Sequence, residues 1–239
     1  MEIVNKLLNY KDLKIIQNTD WFAFSLDSIL LANFVTINKN TKNIIDLCTG
    51  NAPIPIILST KTNASITGVE LQKEIYNLAK KSIEINNLQD RIKLLNMDVN
   101  DLLRNYKTDS FDIITCNPPY FKVKETSNLN DNKIKTIARH EIYLEIDQVF
   151  SVAKKLLKNN GVISIVHRSE RLVEILESMK KNNIEPKKIR FVYPKKNSEC
   201  NIILLEGAKN GNPGLKILPP LYVHDEEGNY LEEIQEMFQ

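Results

Sequence analysis

Glycine and cysteine are scarce in this chain, and each shortage narrows the kinds of protein it can be. Only 7 of its 239 residues are glycine and only 3 are cysteine. Cys48, Cys116 and Cys200 are isolated, and their spacing fits neither a disulfide framework nor a set of metal ligands. We therefore expect three reduced core residues and predict no metal site.

Long apolar runs are also missing. No stretch of the sequence approaches the roughly 20 apolar residues that a membrane-spanning helix needs, and the N-terminus lacks the pattern of a signal peptide. These absences predict a cytoplasmic protein with no membrane partner.

The length suits one substantial core and is too short for two large domains. We predict a single domain, with an N-terminal lid or cap at 1–42, a catalytic core at 43–206 and an acidic extension at 207–239. The formal net charge is +2, but the extension holds two lysines against six carboxylates, which leaves about +6 for the first 206 residues. A basic body and an acidic tail are indicated. The oligomeric state stays open between monomer and homodimer.

From residue 43 onward, apolar runs typical of buried strands alternate with helical patterns. The predicted strands are 43–48, 65–70, 92–97, 111–116 and 161–167, and the predicted helices are about 53–60, 72–86, 99–105, 144–158 and 169–181. Two later runs, 189–193 and 200–205, predict a hairpin. This alternation is typical of an α/β fold with a doubly wound parallel sheet.

The tetrapeptide Asn117-Pro118-Pro119-Tyr120 directly follows the fourth predicted strand, so it should lie at the carboxyl edge of the sheet. Each proline fixes the backbone and removes an amide donor, while the carbonyls stay free to accept. The Asn117 side chain adds another acceptor, and the Tyr120 ring can cover a flat base. Two acceptors aimed at an exocyclic amine would make its nitrogen more nucleophilic. A stiff turn without chemistry is the alternative for these residues taken alone.

Three other strand ends carry candidate cofactor ligands. The loop after the first strand, Asp46 to Pro53, keeps only Gly50 of the glycines that cradle a pyrophosphate in dinucleotide-binding folds. Glu70 ends the second strand, where an acidic residue can accept hydrogen bonds from ribose hydroxyls. Asp98 follows the third strand and could cap the helix predicted at 99–105.

Together these motifs resemble the S-adenosylmethionine-dependent methyltransferases that act on planar nitrogen. The resemblance implies a Rossmann-like class I methyltransferase fold, with a seven-stranded, mostly parallel sheet, helices on both faces and a late antiparallel hairpin. It implies S-adenosylmethionine as cofactor. The catalytic residues it implies are Asn117, Pro118, Pro119 and Tyr120. The cofactor-binding residues it implies are Phe24, Asp27, Asp46, Thr49, Gly50, Asn51, Glu70, Leu71, Asp98, Val99 and Asn117.

Finer motifs resemble one branch, the bacterial tRNA1(Val) (adenine(37)-N6)-methyltransferases. They are Phe24-x-x-Asp27-x-x-Leu30-Leu31, Asn117 to Phe121, Arg139-His140-Glu141 and the tail from Tyr222 to Tyr230. The branch implies N6 methylation of an adenine beside a tRNA anticodon. Guanine-N2 methylation of RNA, methylation of a protein glutamine and an inactive RNA-binding module remain as alternatives.

Basic residues near the predicted site favour an RNA partner, because phosphates require neutralisation around an extruded base. One group follows the tetrapeptide, and a second surrounds the late hairpin. The predicted RNA-binding residues are Phe121, Lys122, Lys124, Lys133, Lys135, Arg139, His140, Arg168, Lys187, Lys188, Arg190, Lys195 and Lys196.

Overall fold

The computed structural model describes residues 1–7, 12–21, 26–118, 120 and 144–238. Its strands are β1 (Glu2–Lys6), β2 (Lys14–Asn18), β3 (Asn43–Leu47), β4 (Ser65–Glu70), β5 (Ile92–Asn96), β6 (Phe111–Cys116), β7 (Leu157–Arg168), β8 (Ile184–Lys195), β9 (Ile202–Lys209), β10 (Lys216–Ile217) and β11 (Leu221–His224). Its α-helices are α1 (Leu26–Phe34), α2 (Pro53–Lys61), α3 (Lys73–Ile85), α4 (Ile146–Leu156), α5 (Leu172–Lys181) and α6 (Glu232–Glu236), and 3-10 helices span Val99–Arg104 and Ser169–Arg171.

The main sheet runs in the order β10-β8-β9-β7-β6-β3-β4-β5, with β11 also paired to β8. Neighbours from β5 to β7 are parallel, and β9 runs antiparallel to both β7 and β8. The predicted Rossmann-like α/β fold with a late antiparallel hairpin is confirmed. The sheet has nine strands rather than seven, because β10 and β11 from the C-terminal extension add parallel pairings to β8.

Each face of the sheet is covered by its own set of helices. Alternate residues of one strand point to opposite faces, so Ile44 belongs to the core shared with α1, α2 and α3, while Ile45 belongs to the core shared with α4 and α5. Ile113 and Ile114 divide in the same way on β6. The two cores hold β3 and β6 side by side in the centre of the sheet.

Strands β7 and β8 are longer than the sequence predicts. The segment 184–188 contains three charged residues and Pro186, and this composition predicts a loop rather than a strand. The strand accommodates this proline through a register shift between Pro186 and Lys188, where a missing backbone donor does little harm. Among the described residues, no helix is long and apolar enough to cross a membrane.

Glu206 on β9 is a buried carboxylate that joins three parts of the fold. It is 4% exposed and accepts hydrogen bonds from the Thr36 backbone (2.9 Å), the Thr36 hydroxyl (2.7 Å) and the Ser164 hydroxyl (2.7 Å). Lys188 Nζ lies 3.4 Å from Glu206 Oε1, the oxygen that accepts from the Thr36 hydroxyl, and also donates to the Phe34 carbonyl. The segment after α1 is thereby fixed to the middle of the sheet.

Replacing Glu206 by alanine should lower the free energy of unfolding by about 3 kcal/mol, since it leaves the Lys188 ammonium without its buried counter-charge. Urea unfolding measures this change. Glu226→Ala is the matched control, because its pair with Lys195 is exposed and should contribute less than about 1 kcal/mol. Equal losses in the two variants would contradict the assignment.

Candidate active site

Strands β3 and β6 end together. Leu47 pairs with Cys116 in the parallel register, so the loop that begins at Cys48 and the tetrapeptide that begins at Asn117 leave the sheet as neighbours. This is the topological switch point, where ligands bind in open α/β sheets. The two segments that the sequence places on either side of a crevice are therefore adjacent.

Asp46 lies beneath the loop and organises it. Its side chain is 0% exposed, and its two oxygens accept hydrogen bonds from the hydroxyls of Thr49 and Thr115, each at 2.6 Å. Burial raises the pKa of Asp46 to about 7, although both threonine hydrogen bonds oppose the rise. Asp46 thus positions the predicted cofactor loop from below rather than from its surface.

The loop backbone adopts an unusual alternating conformation. Cys48, Gly50 and Ala52 have positive φ angles of 59°, 58° and 71°. Cys48 and Ala52 carry side chains at these left-handed positions, where a residue other than glycine is strained. Open space surrounds Gly50 where a Cβ would stand. That gap leaves the backbone free for close approach by a ligand.

Glu70 connects the loop to the next strand. One carboxylate oxygen accepts the Gly50 backbone N–H at 3.0 Å and the other accepts the Gln72 N–H at 2.8 Å. Burial raises the pKa of Glu70. Asn96, which the sequence reading missed, donates its amide to the carbonyls of Glu70 and Leu71 and joins the ends of β4 and β5. Leu71 itself is partly exposed beside them.

Asp98 is the N-cap of the 3-10 helix. Its side chain accepts hydrogen bonds from the backbone and side-chain nitrogens of Asn100 at 2.8 and 2.9 Å. Val99, the first residue of that helix, is buried at 7% exposure. Asn51, in the loop after β3, donates its amide to the Ile16 carbonyl. This contact docks the N-terminal hairpin, which is the antiparallel pair of β1 and β2, onto the loop. Contact of these residues with a cofactor stays a prediction.

The tetrapeptide side chains contact the first turn of α1. The Asn117 amide donates to the Ser28 hydroxyl at 3.2 Å. The Tyr120 hydroxyl lies 2.7 Å from Asn117 Oδ1 and 2.8 Å from Asp27 Oδ2. Burial and the Asp27 carboxylate raise the pKa of Tyr120 above its ordinary value. Asp27, which was predicted to bind the cofactor, accepts a hydrogen bond from the Tyr120 hydroxyl. The contact between Ser28 and Asn117 was not predicted from the sequence.

The end of β7 and the 3-10 helix that follows it support the tetrapeptide from the other side. The His167 ring packs against the Tyr120 ring with centroids 5.2 Å apart, and Arg171 donates to the Tyr120 carbonyl at 3.4 Å. Burial first, and then the Arg171 charge, lower the pKa of His167 to about 4, so the ring is neutral at physiological pH. The sequence holds no local signal for either residue, since both act on a segment some fifty residues away.

Most residues of the basic cluster around the late hairpin already have partners within the protein. Lys188 pairs with Glu206, Arg190 with Glu233 at 2.6 Å and Lys195 with Glu226 at 3.3 Å. Lys187 donates to the Asn212 carbonyl. The charges of Lys188 and Arg190 are thus paired within the protein, and the contact of these residues with RNA stays a prediction.

Arg168 and Lys196 lie at or just beyond the carboxyl ends of β7 and β8, on the same edge as the tetrapeptide. Lys195, the last residue of β8, is on this edge as well. Several predicted site residues fall outside the described residues: Phe24, Pro119, Phe121, Lys122, Lys124, Lys133, Lys135, Arg139 and His140. Among those described, no group of three or more His, Cys, Asp or Glu side chains is placed to hold a metal ion.

Residues 38–234 match a family described as a methyltransferase domain, and the chain belongs to this family. It is a methyltransferase of the S-adenosylmethionine-dependent class, which confirms the predicted cofactor.

Curated relatives share modest identity with the chain. A protein of Phocaeicola vulgatus is 25% identical over 202 residues, covering 84% of this chain and 83% of its own. One of Aliivibrio salmonicida is 24% identical, covering 94% and 93%, and one of Glaesserella parasuis is 32% identical, covering 63% and 61%. All three are named tRNA1(Val) (adenine(37)-N6)-methyltransferase.

Solved structures share the fold. A predicted O-methyltransferase, protein Atu636 from Agrobacterium tumefaciens, aligns with a TM-score of 0.71 at 18% identity, covering 88% of this chain and 94% of its own. TYW2 of P. horikoshii in complex with MeSAdo aligns with a TM-score of 0.61 at 13% identity, covering 88% and 72%.

Asp46 should give the protein a distinctive pH dependence. Its pKa is raised from 3.8 to about 7, so between these values the folded state holds a proton that the unfolded state has lost. Its contribution to stability is complete below about pH 4 and is lost as the pH rises through 7. Asp46→Asn should therefore gain stability relative to wild type between pH 4 and 8, by up to about 4 kcal/mol.

Urea unfolding at several pH values measures this difference. Asp147→Asn is the control of opposite sign, because hydrogen bonds from Lys181 and Ser178 lower the pKa of Asp147. That variant should lose stability relative to wild type above pH 4 and recover below it. An Asp46→Asn difference that does not change with pH would contradict the predicted titration.

Proposed function

We propose that this methyltransferase transfers a methyl group to the exocyclic N6 amine of an adenine in tRNA, at position 37 beside the anticodon. The observation that carries the proposal is the shared end of β3 and β6, which joins the cofactor loop to Asn117 and Tyr120. The names of the curated relatives support the choice of RNA base and position.

The residues around the crevice fit the proposed cofactor. Gly50 offers an open backbone position, and the Glu70 carboxylate at the end of β4 is suited to accept ribose hydroxyls. Asp98 would accept a hydrogen bond from the adenine amino group of the cofactor, and Val99 would flank the ring. When bound, S-adenosylmethionine supplies an electrophilic methyl group that needs no further activation.

The tetrapeptide would prepare the nucleophile. The lone pair of an exocyclic amine is delocalised into its ring, and acceptors aimed at its hydrogens return electron density to nitrogen. Asn117 Oδ1 and the Pro118 carbonyl would accept these hydrogens, while the Tyr120 ring, supported by His167, would stack on the base. The nitrogen would take the methyl carbon as the bond from carbon to the sulfonium sulfur breaks, which would leave S-adenosylhomocysteine, and the extra proton on the nitrogen would pass to water.

The proposal is tested by incubating the protein with unmodified tRNA and methyl-labelled S-adenosylmethionine, followed by nucleoside digestion and mass spectrometry. Labelled N6-methyladenosine is the expected product, and tRNA fragments should locate it at position 37. Labelled N2-methylguanosine, or label in a protein glutamine, would refute the proposed substrate.

Asn117→Ala should reduce kcat by at least about a hundredfold, because it removes an acceptor that acts on the reacting amine. Affinity for S-adenosylmethionine, measured by calorimetry, should stay within a few-fold of wild type. Asn40→Ala is the matched control, since Asn40 is exposed in the turn before β3, at the opposite edge of the sheet. Parallel losses of turnover and cofactor affinity would overturn the role of Asn117.

The double change Lys195→Ala and Lys196→Ala should weaken tRNA binding and reduce the slope of log affinity against log salt by about 1 to 2, since each phosphate contact contributes about 0.7 to 0.9. Lys154→Ala with Lys155→Ala removes the same charge from the end of α4, at the opposite edge of the sheet. That control should leave the slope near the wild-type value. Equal slopes in both double variants would exclude Lys195 and Lys196 from the interface.

A further inference from the structure

Three oxygen atoms form a short chain at the tetrapeptide. Tyr120 Oη stands in the middle, 2.8 Å from Asp27 Oδ2 and 2.7 Å from Asn117 Oδ1. An ionised carboxylate and an amide carbonyl only accept hydrogen bonds, and a tyrosine hydroxyl carries one hydrogen. The two short contacts therefore share a single proton, and this row of three oxygens lacks one hydrogen-bond donor.

The orientation of the Asn117 amide makes this shortage specific. Its nitrogen donates to Ser28 Oγ at 3.2 Å, and Ser28 is buried at 5% exposure in the first turn of α1. The amide oxygen is thereby directed at the tyrosine hydroxyl. A rotated amide would still have a partner there, because the Ser28 hydroxyl can donate as well as accept, but it would turn Oδ1 away from the tyrosine. Only the orientation with the nitrogen on Ser28 leaves Oδ1 on the tyrosine side, where the substrate amine would bind.

We propose that Asp27 is a positioning residue that draws the Tyr120 hydroxyl away from Asn117 Oδ1, and so keeps this oxygen open to the amine of the substrate. The inference rests on the proposed function, in which the methyl acceptor is an amine. A target NH2 group supplies the missing donor to Asn117 Oδ1, and the tyrosine proton then belongs to Asp27 alone. Every oxygen in the chain is satisfied in that state.

This role differs from contact with the cofactor, which was the sequence-based prediction for Asp27. A cofactor ligand would affect the affinity for S-adenosylmethionine. A positioning residue acts through Tyr120, so its loss should matter only while the tyrosine hydroxyl is present. Without Asp27, the hydroxyl keeps Asn117 as its acceptor among these three groups and competes with the substrate amine.

The test is a double-mutant cycle with wild type, Asp27→Ala, Tyr120→Phe and the double variant, assayed for tRNA methylation. Asp27→Ala should lower kcat by about ten- to a hundredfold, the range expected for one hydrogen bond to a charged group. Tyr120→Phe keeps the ring but loses the hydrogen bond to Asp27, and its kcat should be a few-fold below wild type. The kcat of the double variant should equal that of Tyr120→Phe and be higher than that of Asp27→Ala, because without the hydroxyl nothing occupies Asn117 Oδ1.

The KM for S-adenosylmethionine should stay within a few-fold of wild type in all four proteins, and thermal unfolding checks that each is folded. Asp90→Ala, an exposed carboxylate before β5 at the opposite edge of the sheet, is the matched control and should retain wild-type kcat. Losses that multiply in the double variant, or a raised KM for the cofactor in Asp27→Ala, would overturn the inference while the proposed function stands. A wild type that methylates no tRNA amine would overturn both.

Discussion

The buried carboxylate of Asp46 is the interaction on which the crevice depends. It receives one hydroxyl from the loop after β3 and one from β6, so the same side chain fixes the predicted cofactor segment and the strand that leads into the tetrapeptide. Gly68 on β4 makes this possible, because a Cβ at that position would stand 2.9 Å from Thr49 Oγ1. The two halves of the site are thus held in register by a group that no ligand needs to touch.

The N-terminal segment completes the site from outside the sheet. Its hairpin is attached to the loop through Asn51, and α1 presents Asp27 and Ser28 to the tetrapeptide. The end of α1 is in turn secured to β9 by the contacts of Thr36 with Glu206. A polar group deep in the sheet thus anchors the end of the helix whose first turn meets the tetrapeptide.

The fold was predictable because its signals are local and repeated. Alternating apolar runs and helical patterns identified the five parallel strands, and the residues at the ends of four of them indicated the crevice. The short strands β10 and β11 were missed, since two to four residues carry no periodicity. Ser28, His167 and Arg171 were missed because each acts on Tyr120 or Asn117 from a distant part of the chain.

The basic cluster of the late hairpin also shows that sequence alone does not reveal the partners of a charged residue. In the sequence, Lys188 and Arg190 indicate a nucleic-acid interface. Their partners, Glu206 and Glu233, lie 18 and 43 residues further along the chain, and the fold is needed to bring them together. A count of charges cannot distinguish a cation that faces solvent from one already held by a carboxylate.

The alternating backbone of the loop after β3 has a consequence for ligand selectivity. When left-handed residues alternate with others, successive backbone N–H groups turn toward a common centre and form a concavity that holds anions. Here the Gly50 N–H donates to the Glu70 carboxylate, and the N–H groups of Thr49 and Ala52 donate to the carbonyls of Val69 and Thr49. Three N–H groups that could otherwise face an anion are thus used within the protein, and the loop offers little of the phosphate cradle that a nucleotide-binding fold presents.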